Sequence, residues 1–256
     1  MRRRFLNNGN EKNYLYFTIE SIEDGLTVSL TENECLISID NGKWISLSAN
    51  TVTPAINIGQ KIQFKIDNPT ISVNEGIGRF TISKKCNVSG NIMSLLYGDD
   101  FSERNSLTGK KYAFLGLFYD CKNIVDASKL ILPATTLASD CYSYMFKGCT
   151  SLVTAPELPA TVLVNNCYAW MFYGCSKLNY IKMLATNISA SYCLYSWVGG
   201  VASIGTFIKH PNMTSLPSGI SGIPSGWTVE DYVETNLITF TIDGTEYQAE
   251  EGMTLE

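Results

Sequence analysis

The chain has 256 residues, a formal net charge of −5 and a single histidine. The acidic balance argues against nucleic acid as the main partner, because nucleic-acid binding usually needs a basic surface. Hydrophobic residues make up 45% of the chain, which favours a folded protein, but no apolar run reaches the roughly 18 residues of a membrane-spanning helix.

The segment 1–12 carries three arginines near its start, as a secretion signal does, but it has no apolar core. Phe5 and Leu6 are followed directly by asparagines. A signal peptide needs a longer apolar stretch. The segment is therefore predicted to be a flexible tail, and the sequence shows no signal for export.

Residues 13–109 contain many short segments that alternate apolar and polar residues or are rich in β-branched and aromatic ones, which is typical of strands. The strongest hairpin signal is Asp40-Asn41-Gly42, because Asn-Gly adopts the positive φ angles of a tight turn. Strands and turns at this spacing predict a β-sandwich-like domain over 13–109. The predicted strands cover 14–19, 26–30, 35–39, 43–47, 61–66, 79–82 and 92–96.

A repeat with a fixed period begins near residue 113. Segment 141–152 reads CYSYMFKGCTSL and segment 167–178 reads CYAWMFYGCSKL, so the offset is 26 residues (167 − 141 = 26). Weaker copies lie on both sides, and a second phrase, LPAT, occurs at 132–135 and 158–161. A fixed period in the twenties is typical of a solenoid, whose units bury their apolar residues only when they stack.

The repeated positions predict which side chains the stacked units bury. Each unit has an aromatic or aliphatic residue three places before its second cysteine position, and a leucine or isoleucine three places after it. The segments around residues 125, 153 and 179 are predicted to be parallel strands. The predicted core residues are Phe118, Phe146, Phe172 and Val198, with Ile124, Leu152, Leu178 and Ile204.

The segment 140–148 is predicted to form a single helical turn, because Asp140 can cap a helix and Gly148 can end one. The predicted solenoid runs over 110–229 and includes an end-cap in which Trp227 seals the last unit. The remaining segment, 230–256, is predicted to form a C-terminal β-hairpin around Asp243-Gly244. The expected fold class is therefore mainly β, with a minor α component.

The phrase Met-Phe-x-Gly-Cys-x-x-Leu on a 26-residue period resembles the bacterial surface 26-residue repeat, which belongs to the BspA-like leucine-rich-repeat family. The resemblance covers about residues 113–210, and the last unit departs from it, since Val201 replaces the second cysteine. It implies a strand-lined inner face that binds partners outside the cell, in surface interaction or adhesion.

The candidate binding residues are those whose side chains should point out of the predicted repeat strands. Extended faces of this kind serve to bind proteins or glycans. The partner is therefore expected to be a protein or a cell-surface glycan, and no cofactor is expected. The predicted face consists of Asp126, Lys129, Thr154, Glu157, Tyr180, Lys182 and Thr206.

The residues that could carry chemistry form no convincing catalytic, cofactor or metal site. His210 is the only histidine and has no nucleophile motif nearby, and adjacent strand residues such as Asp99 and Asp100 point to opposite faces. The two repeat cysteines of a unit are eight residues apart, unlike the close pairs of zinc sites. Disulfides between units stay open, but small buried thiols explain both columns at once.

The sequence therefore predicts a non-enzymatic protein of surface interaction or adhesion. One alternative is a structural or host-recognition appendage of a bacteriophage virion, which the missing export signal favours. Either protein would assemble into a larger complex, on a cell surface or in a virion. A glycan-active enzyme is the third and least supported hypothesis.

Overall fold

The computed structural model describes residues 15–67 and 76–234, and the backbone of Leu237–Ile242 and Thr245–Glu250. The predicted tail 1–12 lies outside these residues. The described chain is mainly β, as predicted. None of its helices is long and apolar enough to cross a membrane.

The N-terminal half consists of short strands followed by two brief helical turns, an α-helical one (α1) and a 3₁₀ one. Their bounds are β1 Phe17–Ser21, β2 Val28–Leu30, β3 Cys35–Ile39, β4 Ile45–Leu47, β5 Lys61–Lys65, β6 Phe80–Ile82, β7 Cys86–Asn91, α1 Ser94–Tyr97 and the 3₁₀ turn Gly98–Phe101. The later strands are β8 Ile124–Ile131, β9 Tyr180–Met183, β10 Thr206–Lys209, β11 Thr228–Asp231, β12 Leu237–Ile242 and β13 Thr245–Glu250.

Two antiparallel sheets pack against each other in the N-terminal half. The larger sheet has the order β4-β3-β5-β1-β7, and the smaller one pairs β2 with β6. Phe80 of β6 lies 5.3 Å from Phe17 of β1 and 5.1 Å from Phe64 of β5, measured between ring centroids. All three rings are fully buried, so an aromatic layer holds the two sheets together.

Two local predictions for this half are wrong. The segment 92–96 was expected to be a strand, but it contains α1, and the strand lies just before it as β7. In the β3–β4 hairpin the positive φ angles fall on Asp40 (48°) and Asn41 (59°), not on Gly42. The Gly42 amide donates to the Ile39 carbonyl at 2.8 Å, which makes Asp40 and Asn41 the two central residues of the turn.

The sheet of the N-terminal half continues into the repeats. β7 pairs in parallel with β8, which lies beyond the predicted domain boundary at residues 109 and 110. Parallel bridges then join Asp126 to Thr154 and Thr154 to Tyr180, and β9, β10 and β11 continue in the same parallel sense. The expected parallel neighbours around 125, 153 and 179 are therefore confirmed, while the boundary itself stays a prediction.

Aromatic rings form a buried column through the repeat units. The ring centroids of Phe118 and Phe146 are 5.1 Å apart, and those of Phe146 and Phe172 are 5.7 Å apart. These rings and the repeated leucines Leu152 and Leu178 are 0% exposed, which confirms their predicted burial. Identical positions of successive units thus lie next to one another in the core.

The last unit buries different residues from those expected. Ile204, predicted to fill the leucine position, is 75% exposed, and Phe207 of β10 is buried instead. The indole of Trp227 is buried over this end, where its N–H donates to the Ala202 carbonyl at 2.7 Å. The chain therefore leaves the repeat pattern after Val201, and the predicted seal by Trp227 is confirmed.

The segment 140–148 is not a helical turn. Amides of alternate residues donate within the unit, three residues back, as Met145 does to the Tyr142 carbonyl. The amides between them donate to the next unit, 25 residues on, as Phe146 does to the Met171 carbonyl at 2.9 Å. Every fourth residue takes a left-handed φ, and the same pattern recurs in the neighbouring units. We call these segments the turn segments: 112–120, 140–148, 166–174 and 192–200.

All eight cysteines are buried and unpaired. In the second cysteine column each thiol donates to the carbonyl of an aromatic residue in the preceding layer. Cys149 Sγ lies 3.1 Å from the Phe118 carbonyl, and Cys175 Sγ lies 3.0 Å from the Phe146 carbonyl. The columns are packing residues, as the simpler prediction held, and burial raises the pKa of the Cys149 thiol well above its usual value.

Candidate functional site

Four of the predicted binding residues form a straight row across the repeat strands. Backbone pairing places Asp126 beside Thr154, Thr154 beside Tyr180, and Tyr180 beside Thr206. Tyr180, at the centre, is 36% exposed. We call this row, together with Glu157 and Lys182, the strand face.

The remaining predicted residues are arranged differently. Lys182 Nζ lies 3.0 Å from a Glu157 carboxylate oxygen and 3.8 Å from the centroid of the Tyr232 ring, so its charge is already engaged. Lys129 is exposed and lies opposite Ser89 of β7, away from the row. The strand face therefore offers hydroxyls, one carboxylate of Asp126 and one aromatic ring rather than free cations.

Sequence reasoning missed a second exposed surface, which the turn segments form. There the ammonium of Lys147 lies among four aromatic rings. Its Nζ is 5.4 Å from the Tyr119 centroid, 5.2 Å from Tyr144, 5.1 Å from Trp170 and 5.6 Å from Tyr173. These four rings, with Lys147 and Arg79, are called the turn face below. The rings come from three successive units, which is why no single repeat reveals the cluster.

Two of these rings stand on backbone positions that disfavour large side chains. Tyr144 has a φ of 57° and Trp170 a φ of 58°, in the left-handed region where bulky residues are rare. The equivalent positions of the neighbouring units hold Gly116 and Ser196, which are small. The Tyr144 and Trp170 rings stack at 6.1 Å with 5° between their planes. Strain retained for a partly exposed ring points to a use for that ring on the surface.

A cavity of about 320 Å³ opens at the N-terminal end of the turn face. Arg79 lines it, and the guanidinium carbon of this residue lies 4.4 Å from the Tyr119 centroid. Tyr119 and Tyr144 form its aromatic wall, and Glu32 adds a carboxylate. The cavity thus combines rings, two nearby cations and a hydrogen-bond acceptor.

A cluster of charges in the N-terminal half has a structural explanation. Lys65 is buried, and its ammonium donates to both oxygens of Asp99 at 2.7 and 2.8 Å. The Tyr16 hydroxyl donates to the same carboxylate at 2.6 Å, and the Trp44 ring lies 4.6 Å from Lys65 Nζ. The bond from Lys65 lowers the pKa of Asp99, and burial raises the pKa of Tyr16 to about 12. Each group is satisfied, so the cluster stabilises the fold.

The other candidates for chemistry are placed apart. His210 accepts a hydrogen bond from the Asn212 amide at its own loop, with a distance of 3.1 Å. In the described part of the chain, no three histidine, cysteine, aspartate or glutamate residues are grouped so that they could hold a metal ion.

No family model matches the chain, and neither curated proteins nor solved structures give a match. The resemblance to the BspA-like leucine-rich repeats therefore rests on the repeated phrase and its 26-residue period alone.

Proposed function

We propose that the protein is a non-enzymatic recognition protein whose repeats form a leucine-rich-repeat solenoid of the BspA-like kind. In this proposal the strand face attaches to a protein or a glycan on a cell surface. The observation that carries it is the row of Asp126, Thr154, Tyr180 and Thr206, which backbone pairing holds in line across successive strands.

An aligned row suits an extended partner. Because the strands fix the spacing of the side chains before binding, little conformational entropy is lost when a partner contacts several units at once. Tyr180 is the central anchor, since an exposed tyrosine offers a large contact area with few rotatable bonds. The hydroxyls of Thr154 and Thr206 on either side supply polar contacts.

The test is to block the row without disturbing the core. The double variant Thr154→Arg with Thr206→Arg places two long side chains on either side of Tyr180. Binding of the purified protein to an array of glycans and extracellular proteins should weaken by on the order of tenfold or more, as expected when a central contact is lost.

The matched control is Thr135→Arg with Thr161→Arg. These threonines are exposed and belong to the repeated LPAT phrase, outside the row, so binding should persist. If the row variant binds as well as the control, the strand face is not the binding site. If the unmodified protein binds nothing on the array, the proposed recognition function is contradicted.

A further inference from the structure

The turn face carries two cations that the protein itself does not neutralise. Neither Lys147 nor Arg79 makes an ion pair within the described part of the chain, although other lysines do. They lie on the same aromatic ring, Tyr119, with Lys147 Nζ 5.4 Å and Arg79 Cζ 4.4 Å from its centroid. In a chain with a net charge of −5, such a pair is a local exception.

We propose that this cavity binds an acidic sugar, with the sugar ring against Tyr119 and Tyr144 and its carboxylate between Arg79 and Lys147. The inference goes beyond the proposed function, because it assigns a second site, on another face, with a ligand class of its own. It stands or falls independently of whether the strand face binds a partner.

The charges suit one carboxylate. A guanidinium and an ammonium both form strong, charge-assisted hydrogen bonds with carboxylate oxygens. Arg79 is exposed, so it can turn toward a ligand, while the four rings hold Lys147 in place. A densely charged polyanion such as nucleic acid is disfavoured, since the chain as a whole is acidic.

The aromatic wall suits a sugar ring. The apolar C–H face of a sugar packs on an aromatic ring, and the cavity of about 320 Å³ lies at the lower end of the size range of small-ligand sites. Glu32, in the same lining, can accept hydrogen bonds from sugar hydroxyls. A protein partner would need a contact area of about 1,000 Å² or more, for which a single lined cavity is too small.

The backbone adds an independent reason to regard the wall as functional. Tyr144 lines the cavity from a left-handed position, where the preceding unit has Gly116. A glycine would fit that backbone with less strain. The ring is kept there although the core does not need it, since Tyr144 is only partly buried.

The experiment measures affinity by titration calorimetry with the whole protein and two matched ligand pairs. One pair is oligomers of galacturonic acid and the same oligomers with methyl-esterified carboxyl groups. The other pair is sialyllactose and lactose. At least one acidic ligand should bind on the order of tenfold or more tightly than its neutral partner, and added salt should weaken it.

Two variants locate the site, Lys147→Gln and Arg79→Gln. Each should weaken binding of the acidic ligand on the order of tenfold while leaving the neutral ligand unchanged. Arg79→Gln keeps the test valid if Lys147→Gln lowers the melting temperature, because the Arg79 side chain is exposed. The control is Lys122→Gln with Lys177→Gln, two exposed lysines outside the turn face, which should bind like the unmodified protein.

Several results would overturn the assignment. It fails if neither acid binds at millimolar concentration, or if both acids bind no better than their neutral partners. It also fails if the Lys147 and Arg79 variants bind like the control. An acidic peptide such as oligoglutamate that binds as tightly as the sugar acids would show that the site reads charge alone, and the sugar assignment would be wrong.

Discussion

Tyr142 is the residue at which the repeat packs least economically. Its ring lies in a buried column between Phe114 and Tyr168, with centroid distances of 5.5 and 6.0 Å. Its hydroxyl is buried without a hydrogen-bond partner in the described structure. A polar group in that state costs free energy that a phenylalanine does not.

We therefore expect Tyr142→Phe to raise the free energy of unfolding by about 1 kcal/mol. Phe114, the equivalent residue of the preceding unit, shows that the column accepts a phenylalanine. Denaturant unfolding at equilibrium measures the change. Phe146→Ala, a fully buried position, serves as the scale and should lose about 3–5 kcal/mol. A clear loss of stability in Tyr142→Phe would mean that the hydroxyl has a partner after all.

Single residues were predicted well where the repeat states them and poorly elsewhere. The period alone placed Phe146 and Leu178 in the core, because equivalent positions of stacked units meet. It did not place Lys147 among four rings, since three units contribute them. The available signal was the run of aromatic residues and lysine at the less buried positions of the cysteine phrase, which a comparison of those positions between units would have shown.

At the scale of elements, the turn segments are the main departure from expectation. Half of their amides bond to carbonyls 25 residues away, so no local pattern in one unit specifies them. The missed strand β7 ends in Gly90 and Asn91, residue types that usually mark turns. Gly90 has a φ of 77° there, which is why the strand tolerates it.

Gly174 tests the left-handed positions of the turn segments directly. Its φ is 77°, and a Cβ added to it would meet only the Gly148 Cα, at 3.8 Å, so space is not the obstacle. Gly174→Ala should therefore lose about 1–2 kcal/mol of stability through its backbone alone. Thermal or denaturant unfolding measures it.

The matched control for this prediction is Gly174→Asn. Asparagine also adds a Cβ but tolerates left-handed φ angles, so its loss should be smaller than that of alanine. Equal stability of the alanine variant and the unmodified protein would contradict the turn geometry.

At the scale of the whole molecule, the two halves share one sheet and one core. β7 and β8 pair across the predicted boundary. Phe118 of the first turn segment lies 5.7 Å from both Phe17 and Phe80 of the N-terminal half. The N-terminal sheets thus cover the first repeat, as Trp227 covers the last, and exposed solenoid ends need such caps. The sequence predicted both caps from this requirement, but not the continuous sheet, because pairing between distant strands leaves no local signal.

The central claim is that one rigid body holds the strand face in line, from the N-terminal sheet to the last repeat. Native-state hydrogen exchange, followed by mass spectrometry at increasing denaturant, tests it most directly. The claim predicts that amides of β1 and of the turn segments 140–148 and 166–174 open together, with the same free energy and the same denaturant dependence. Turn-segment amides that exchange at a clearly lower free energy, while β1 stays protected, would show two separate units and contradict the account.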